Sequence, residues 1–101
     1  MRMVMHVHLP VDVFNAAVRD GSAGAKMQRI LAQAKPEAAY FMECHGERSG
    51  ILVVNITETS QIPAFAEPWF LTFNAKVEFH PAMTPQDLAA AGLDAIGKEW
   101  G

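Results

Sequence analysis

Histidine supplies most of the chemistry this chain can offer. His6 and His8 stand two apart near the start, His45 lies before a glycine, and His80 comes late in the chain. Imidazole is the side chain whose unperturbed titration, at about 6.5, lies near neutral pH, so a gathered set could pass protons in a partly desolvated space. Glu43 and Glu78 each sit two residues from a histidine, where a carboxylate can orient or stabilise an imidazole, and Asn55 adds an amide. For an enzyme, the expected catalytic set is His6, Asn55 and Glu78, because His6 and Asn55 fall on the strands expected at the centre of a sheet. His8, Glu43, His45 and His80 are further candidates, although histidines near strand ends also suit plain exposure to solvent.

His6-Val7-His8 places two imidazoles on one side of a strand, a spacing that can chelate zinc or copper, with Glu43, Glu78 or His80 to complete the set. No Cys-x-x-Cys or His-Glu-x-x-His accompanies it, so no metal is assigned and any cofactor stays open. Gly21 and Gly24 lack the glycine-lysine-serine/threonine ending of a phosphate loop and read as a helix break.

The elements that must position these residues follow from periodicity. Residues 1–9 alternate, with Met3, Met5, Val7 and Leu9 on one side and Val4, His6 and His8 on the other, and Pro10 closes the strand. A helix begins near Val11 and stops at Asp20-Gly21. Ser22 is then placed to cap a second helical piece with Met27, Ile30, Leu31 and Ala34 on one stripe, ending at Lys35-Pro36. Two β-rich runs, 40–45 and 51–57, flank a polar stretch bounded by Gly46 and Gly50, and read as a hairpin. With His45 opposite Ile51, one hairpin face carries Phe41, Glu43, His45, Val53 and Asn55, while Tyr40, Met42 and Cys44 join Leu52, Val54 and Ile56 on the core side. Cys44 is then a buried structural thiol.

Ile62, Phe65, Ala66, Trp69, Phe70 and Phe73 mark an apolar helix, with a kink or restart expected at Pro68. Residues 75–80 alternate again as a strand. Thr84-Pro85-Gln86-Asp87 combines an N-cap, a first-turn proline and an acid at the third position, so a terminal helix with Leu88, Ala91, Ala95 and Ile96 follows, and Trp100 lies near its end.

At 101 residues, half of them hydrophobic, the chain reads as one domain, 1–101, with a modest core. A net charge of −3 with scattered acids and bases offers no basic stripe for nucleic acid. One cysteine permits no internal disulfide, which suits a reducing compartment, and cytoplasmic localisation is expected. The first residues are too interrupted by histidine for a signal-peptide core, and no apolar run approaches the roughly 20 residues of a membrane span.

Strand, helix, hairpin, helix, strand and terminal helix is the α+β order of a ferredoxin-like split βαβ fold with an appended helix. Right-handed crossovers put the first and third strands at the centre of a four-stranded antiparallel sheet, with all helices on one face. The other face holds Val4, Phe41, Ile51 and Val53 among the polar residues. A soluble monomer would rarely expose such a patch, and a second copy related by a two-fold axis is the economical cover.

Pro36-Glu37-Ala38-Ala39-Tyr40-Phe41, the run from Ser60 to Leu71, Asn74-Ala75-Lys76-Val77-Glu78-Phe79 and Met83-Thr84-Pro85 resemble a small bacterial family of unknown function. That family looks like a member of the dimeric α+β-barrel superfamily, in which two ferredoxin-like sheets face each other. The resemblance covers nearly the whole chain and brings no catalytic motif with it. The superfamily includes muconolactone isomerases and cofactor-free or haem-linked monooxygenases. It therefore implies isomerase- or monooxygenase-like proton chemistry on a small, partly apolar molecule between the sheets. A binding or sensing module that holds a small ligand unchanged, and an accessory dimer whose interface fills the face, are the alternatives from other classes.

Overall fold

A computed structural model describes all residues, 1–101. The chain runs β1 (Arg2–His8), α1 (Val11–Arg19), α2 (Ala23–Ala34), β2 (Ala38–Cys44), β3 (Glu47–Asn55), α3 (Ile62–Phe73), β4 (Lys76–Pro81), α4 (Pro85–Ala89) and α5 (Leu93–Trp100). The strands form one antiparallel sheet in the order β2-β3-β1-β4, with β1 and β3 at its centre as strand alternation and crossover handedness lead one to expect.

The core lies between one face of this sheet and three helices. Met3, Met5 and Val7 of β1 and Leu52 and Val54 of β3 meet Ala17, Ile30, Trp69 and Phe73, and all are buried. Strict alternation in β1 drives this, because a period of two sends every second side chain to the same face. Phe14 and Phe73 rings lie 5.1 Å apart at the same interface.

Local signals set most boundaries. Gly21 takes a φ of +82° between α1 and α2, a region open to glycine at no steric cost. Ser22 does not cap α2 with its side chain; its amide instead donates to Asp20 Oδ1 at 2.8 Å, which fixes the bend between the helices. Thr84 and Asp87 form a reciprocal capping box at α4, each side chain accepting the other's backbone amide at 3.0 Å. Helix α3 runs through Pro68 without a restart. The carbonyl that Pro68 leaves without an amide belongs to exposed Ala64, where water can replace the missing donor.

The hairpin departs from expectation. Its turn is two residues, His45-Gly46, and both have positive φ, at 54° and 81°, as a type I′ turn requires. Cys44 therefore pairs with Glu47, Met42 with Ser49 and Tyr40 with Ile51, five residues away from the expected register. An odd shift turns one strand over relative to the other. Tyr40, Met42 and Cys44 move from the core side to the uncovered face, while Phe41 and Glu43 move to the helix side. Gly50 is a strand residue rather than the end of a loop, and Phe41 lies across it, with a ring carbon 3.0 Å from where a Cβ would stand.

The segment after β4 also departs. Gly92, at φ +74°, divides the expected terminal helix into α4 and α5, and every residue from 85 to 101 is exposed. Leu88, Leu93, Ile96 and Trp100 consequently lie on no core. The radius of gyration is 17.0 Å, against the about 13 Å expected of a compact chain of this length, and the extents are 59 × 28 × 19 Å.

Candidate functional site

The uncovered face of the sheet carries Val4, His6 and His8 from β1, Ser49, Ile51 and Val53 from β3, Tyr40, Met42 and Cys44 from β2, and Glu78 and His80 from β4. Antiparallel pairing sets His6 directly opposite Glu78 on one side and Ile51 on the other, and His8 opposite Ser49. Directly opposite residues share a face with Cβ atoms about 5 Å apart, so the register itself gathers the polar groups at one end.

Contacts within that group are specific. His6 Nε2 and Ser49 Oγ share a hydrogen bond of 2.6 Å, and Ser49 is only 1% exposed. His8 Nε2 donates to Glu78 Oε1 at 3.1 Å, and His80 Nε2 lies 3.4 Å from Glu78 Oε2. The His6 and His8 rings are 3.9 Å apart between centroids. Burial, and then the neighbouring charge of His8, push the His6 imidazolium below its ordinary value, with Glu78 pulling the other way and His80 adding to the depression. The hydrogen bond from His8, with a second from His80, holds the Glu78 carboxyl below the usual carboxylate range.

His6, His8, Glu78 and His80 are thus brought together. The other candidates lie elsewhere. Asn55 sits on the same face but four residues along the strand from Ile51, roughly 13 Å from His6's position. Its Oδ1 accepts the N-terminal ammonium of Met1 at 3.0 Å. Glu43 lies on the helix side and accepts the Gly46 amide at 3.0 Å, bracing the turn. His45 is in that turn, exposed.

Ser49 and Cys44 join the cluster without having been expected there. Both depend on the hairpin register, and the signal that fixes it is the dipeptide His45-Gly46, since histidine is among the residues enriched at positive φ. An open cleft of about 710 Å³ borders the cluster, with His8, Asp12, Glu47, Lys76 and Glu78 in its walls. Another, of about 680 Å³, lies on the helix side between α2 and α3, and none of the candidate residues lines it.

The same face is apolar away from the cluster. Val4, Ile51 and Val53 are partly buried, and Tyr40 and Met42 are 66% and 45% exposed. No helix of the chain is long and apolar enough to cross a membrane. Comparison with known protein families finds none that matches the chain, and comparison with curated proteins finds no relative.

Proposed function

We propose that two copies of this chain close over each other's uncovered sheet faces, as in a dimeric α+β barrel of ferredoxin-like halves, and that the enclosed space handles a small, partly apolar molecule by isomerase- or monooxygenase-like proton chemistry. The observation that carries this reading is the composition of one face: an apolar strip of Val4, Ile51, Val53, Tyr40 and Met42 running into the group His6, Ser49, His8, Glu78 and His80. Ligand sites are mostly apolar with a few placed polar groups, and this face has that division.

A second copy is favoured by two independent surfaces. The strip is large for a lone soluble chain, and the segment from 85 to 101 offers Leu88, Leu93, Ile96 and Trp100 to nothing in its own body. In the proposed reaction His6 and Glu78 are the groups that meet the molecule, His8 and His80 hold the Glu78 carboxylate in place, and Ser49 fixes the His6 ring. Asn55 would serve the far end of the same space.

Sedimentation of the purified chain, followed by small-molecule screening by thermal shift, tests the proposal. A two-copy assembly whose melting temperature rises with an apolar ring compound is the expected result, since a ligand that binds only the folded state stabilises it. His6→Ala should abolish turnover of such a compound while leaving the assembly whole. A stable monomer would overturn the reading. An assembly that loses nothing but its own stability on His6→Ala and Asn55→Ala would reduce it to an accessory dimer, and ligand binding without turnover would make it a sensing module.

A further inference from the structure

The hairpin register puts Cys44 beside the histidines. His6 and His8 project from the same side of β1, and the strand between them and β2 presents Ser49, a side chain small enough for the His6 ring to reach its hydroxyl at 2.6 Å. Cys44 stands beyond it on the same face. One ligating atom from each of His6, His8 and Cys44 lies within 4.8 Å of the other two.

We infer that His6, His8 and Cys44 form a three-ligand site for a borderline-soft transition ion, zinc foremost, with a fourth position open. It shares its face with the preceding reading and rests on it only for the enclosure that would shield that fourth position. In a tetrahedral zinc site, bond lengths of about 2.0–2.3 Å put neighbouring ligand atoms roughly 3.3–3.7 Å apart. Closing from 4.8 Å requires at most a movement of about 1.5 Å, within the reach of side-chain rotation.

The surroundings of the two imidazoles suit ligation. Glu78 accepts a hydrogen bond from His8 Nε2, which keeps the proton on that nitrogen and leaves Nδ1 with its lone pair. Carboxylate, imidazole and ion in series is the usual outer arrangement of a bound histidine. His6 Nε2 shares its hydrogen bond with the Ser49 hydroxyl, which can accept as well as donate, so the ring can donate there and likewise keep the Nδ1 lone pair. The Nδ1 atom of neither ring has a hydrogen-bond partner, so an ion can be taken there without breaking the bonds to Ser49 and Glu78. Two imidazoles and a thiolate select zinc or copper(I) over magnesium or calcium, which take oxygen ligands. Three protein ligands and one open position is the pattern of zinc sites that act on a substrate or water.

The test uses the full chain, reduced and freed of metal with a chelator, and titrates it with cobalt(II) as a visible stand-in for zinc. The expected result is one ion per chain, a thiolate-to-cobalt charge-transfer band, and displacement of cobalt by zinc. Cys44→Ser should erase that band and weaken zinc binding at least about tenfold, and His6→Ala and His8→Ala should each weaken it comparably. Glu78→Gln keeps all three ligands and should cost about 10- to 100-fold through orientation alone. His45→Asn, which removes the imidazole but keeps a residue that tolerates positive φ in the turn, should leave zinc binding unchanged. Melting each variant in chelator establishes that it folds; zinc should then raise the melting temperature of the parent and not of Cys44→Ser. Absence of the cobalt band in folded, reduced parent protein overturns the inference. So does zinc binding that survives Cys44→Ser unchanged or follows His45 or His80, which would mark an adventitious ion only. Sedimentation of the same samples separates the two proposals: a monomer that binds zinc with this dependence overturns the enclosed dimer alone, and a dimer that binds none overturns the zinc site alone.

Discussion

The two faces of the sheet are built from the same strands and obey different rules. On the helix side, Met5, Val7, Leu52, Val54, Trp69 and Phe73 are at most 1% exposed, and almost nothing there is polar. On the other side, Val4, His6, His8, Ile51 and Val53 are partly exposed and Ser49 is buried, and the polar groups satisfy one another: His6 with Ser49, His8 and His80 with Glu78. The first face holds the chain together. The second is self-contained, and the fold loses little if it changes, which is the freedom a binding or reacting surface needs.

The sharpest way to break this comparison is to empty each face in turn. Trp69→Ala removes the largest fully buried side chain, and a loss of about 3–5 kcal/mol is expected from the vacated volume, enough to approach the whole stability of a small domain. Urea unfolding measures it. A loss below about 1 kcal/mol would mean that the helix side is not the core. Trp69→Phe should cost less, because Trp69 Nε1 is buried without a hydrogen-bond partner and the substitution removes that donor along with the volume.

Val53→Lys makes the corresponding change on the second face. Val53 is partly buried at the middle of the apolar strip, opposite Val4 and Ala38. Within one chain the new ammonium can reach solvent, so the urea midpoint should move little. Between two chains it sets like charges into an apolar interface, and the dimer should dissociate roughly a hundredfold more readily in sedimentation. Equal damage to folding and to assembly would erase the distinction between the faces.

The distinction itself was only half legible in the sequence. Alternation in residues 1–9 and 75–80 is enough to assign both faces of β1 and β4, and with them the grouping of His6, His8, Glu78 and His80. The hairpin was not legible in the same way, because Gly46 and Gly50 both look like loop residues and either can bound the turn. Only one of them does: Gly46 takes positive φ, whereas Gly50 stays in the strand under the Phe41 ring. Since one face is set by parity, that single choice decided whether Cys44 met the helices or the histidines. Alternation assigns Asn55 to the histidine face, but periodicity does not measure distance along a strand. Residues 85–101 show the third kind of failure. Their capping signals and apolar spacing describe helices well and carry no information about what those helices lie against.

Gly46→Ala tests the turn on which that parity rests. The added methyl would meet no neighbouring atom, so any cost comes from holding alanine at a φ of +81°, about 1–2 kcal/mol. The urea midpoint should fall by that amount, less than for Trp69→Ala, with the cobalt band retained as long as the register holds. A loss of the band without loss of folding would show that β2 had slipped and carried Cys44 away.

Acid should separate the helix-covered body from the trailing helices by a smaller margin. Ser22, by its adjacent side chain and by the amide that donates to Oδ1 at 2.8 Å, holds the Asp20 carboxyl below its ordinary range, and the amide and then the hydroxyl of Thr84 do the same for Asp87. A carboxyl lowered in the folded state contributes stability that is fully present above its unfolded value, near 4, and is lost as pH falls through the lower folded value. Asp20 braces the joint between α1 and α2, which roof the core, whereas Asp87 starts a helix that no other element covers. Asp20→Ala should therefore remove part of the stability at neutral pH and flatten its decline below about pH 4. Asp87→Ala should leave that decline unchanged and affect only the local order of α4. Trp69, buried in the body, and Trp100, 82% exposed at the end of α5, report the two regions separately once the other is replaced by phenylalanine. If Asp87→Ala altered the acid unfolding seen by Trp69, the trailing helices would have to lie against the body, or against a partner's body, in a way that feeds back on the core. Repeating the titration across protein concentration decides between those two contacts, because only the second depends on it.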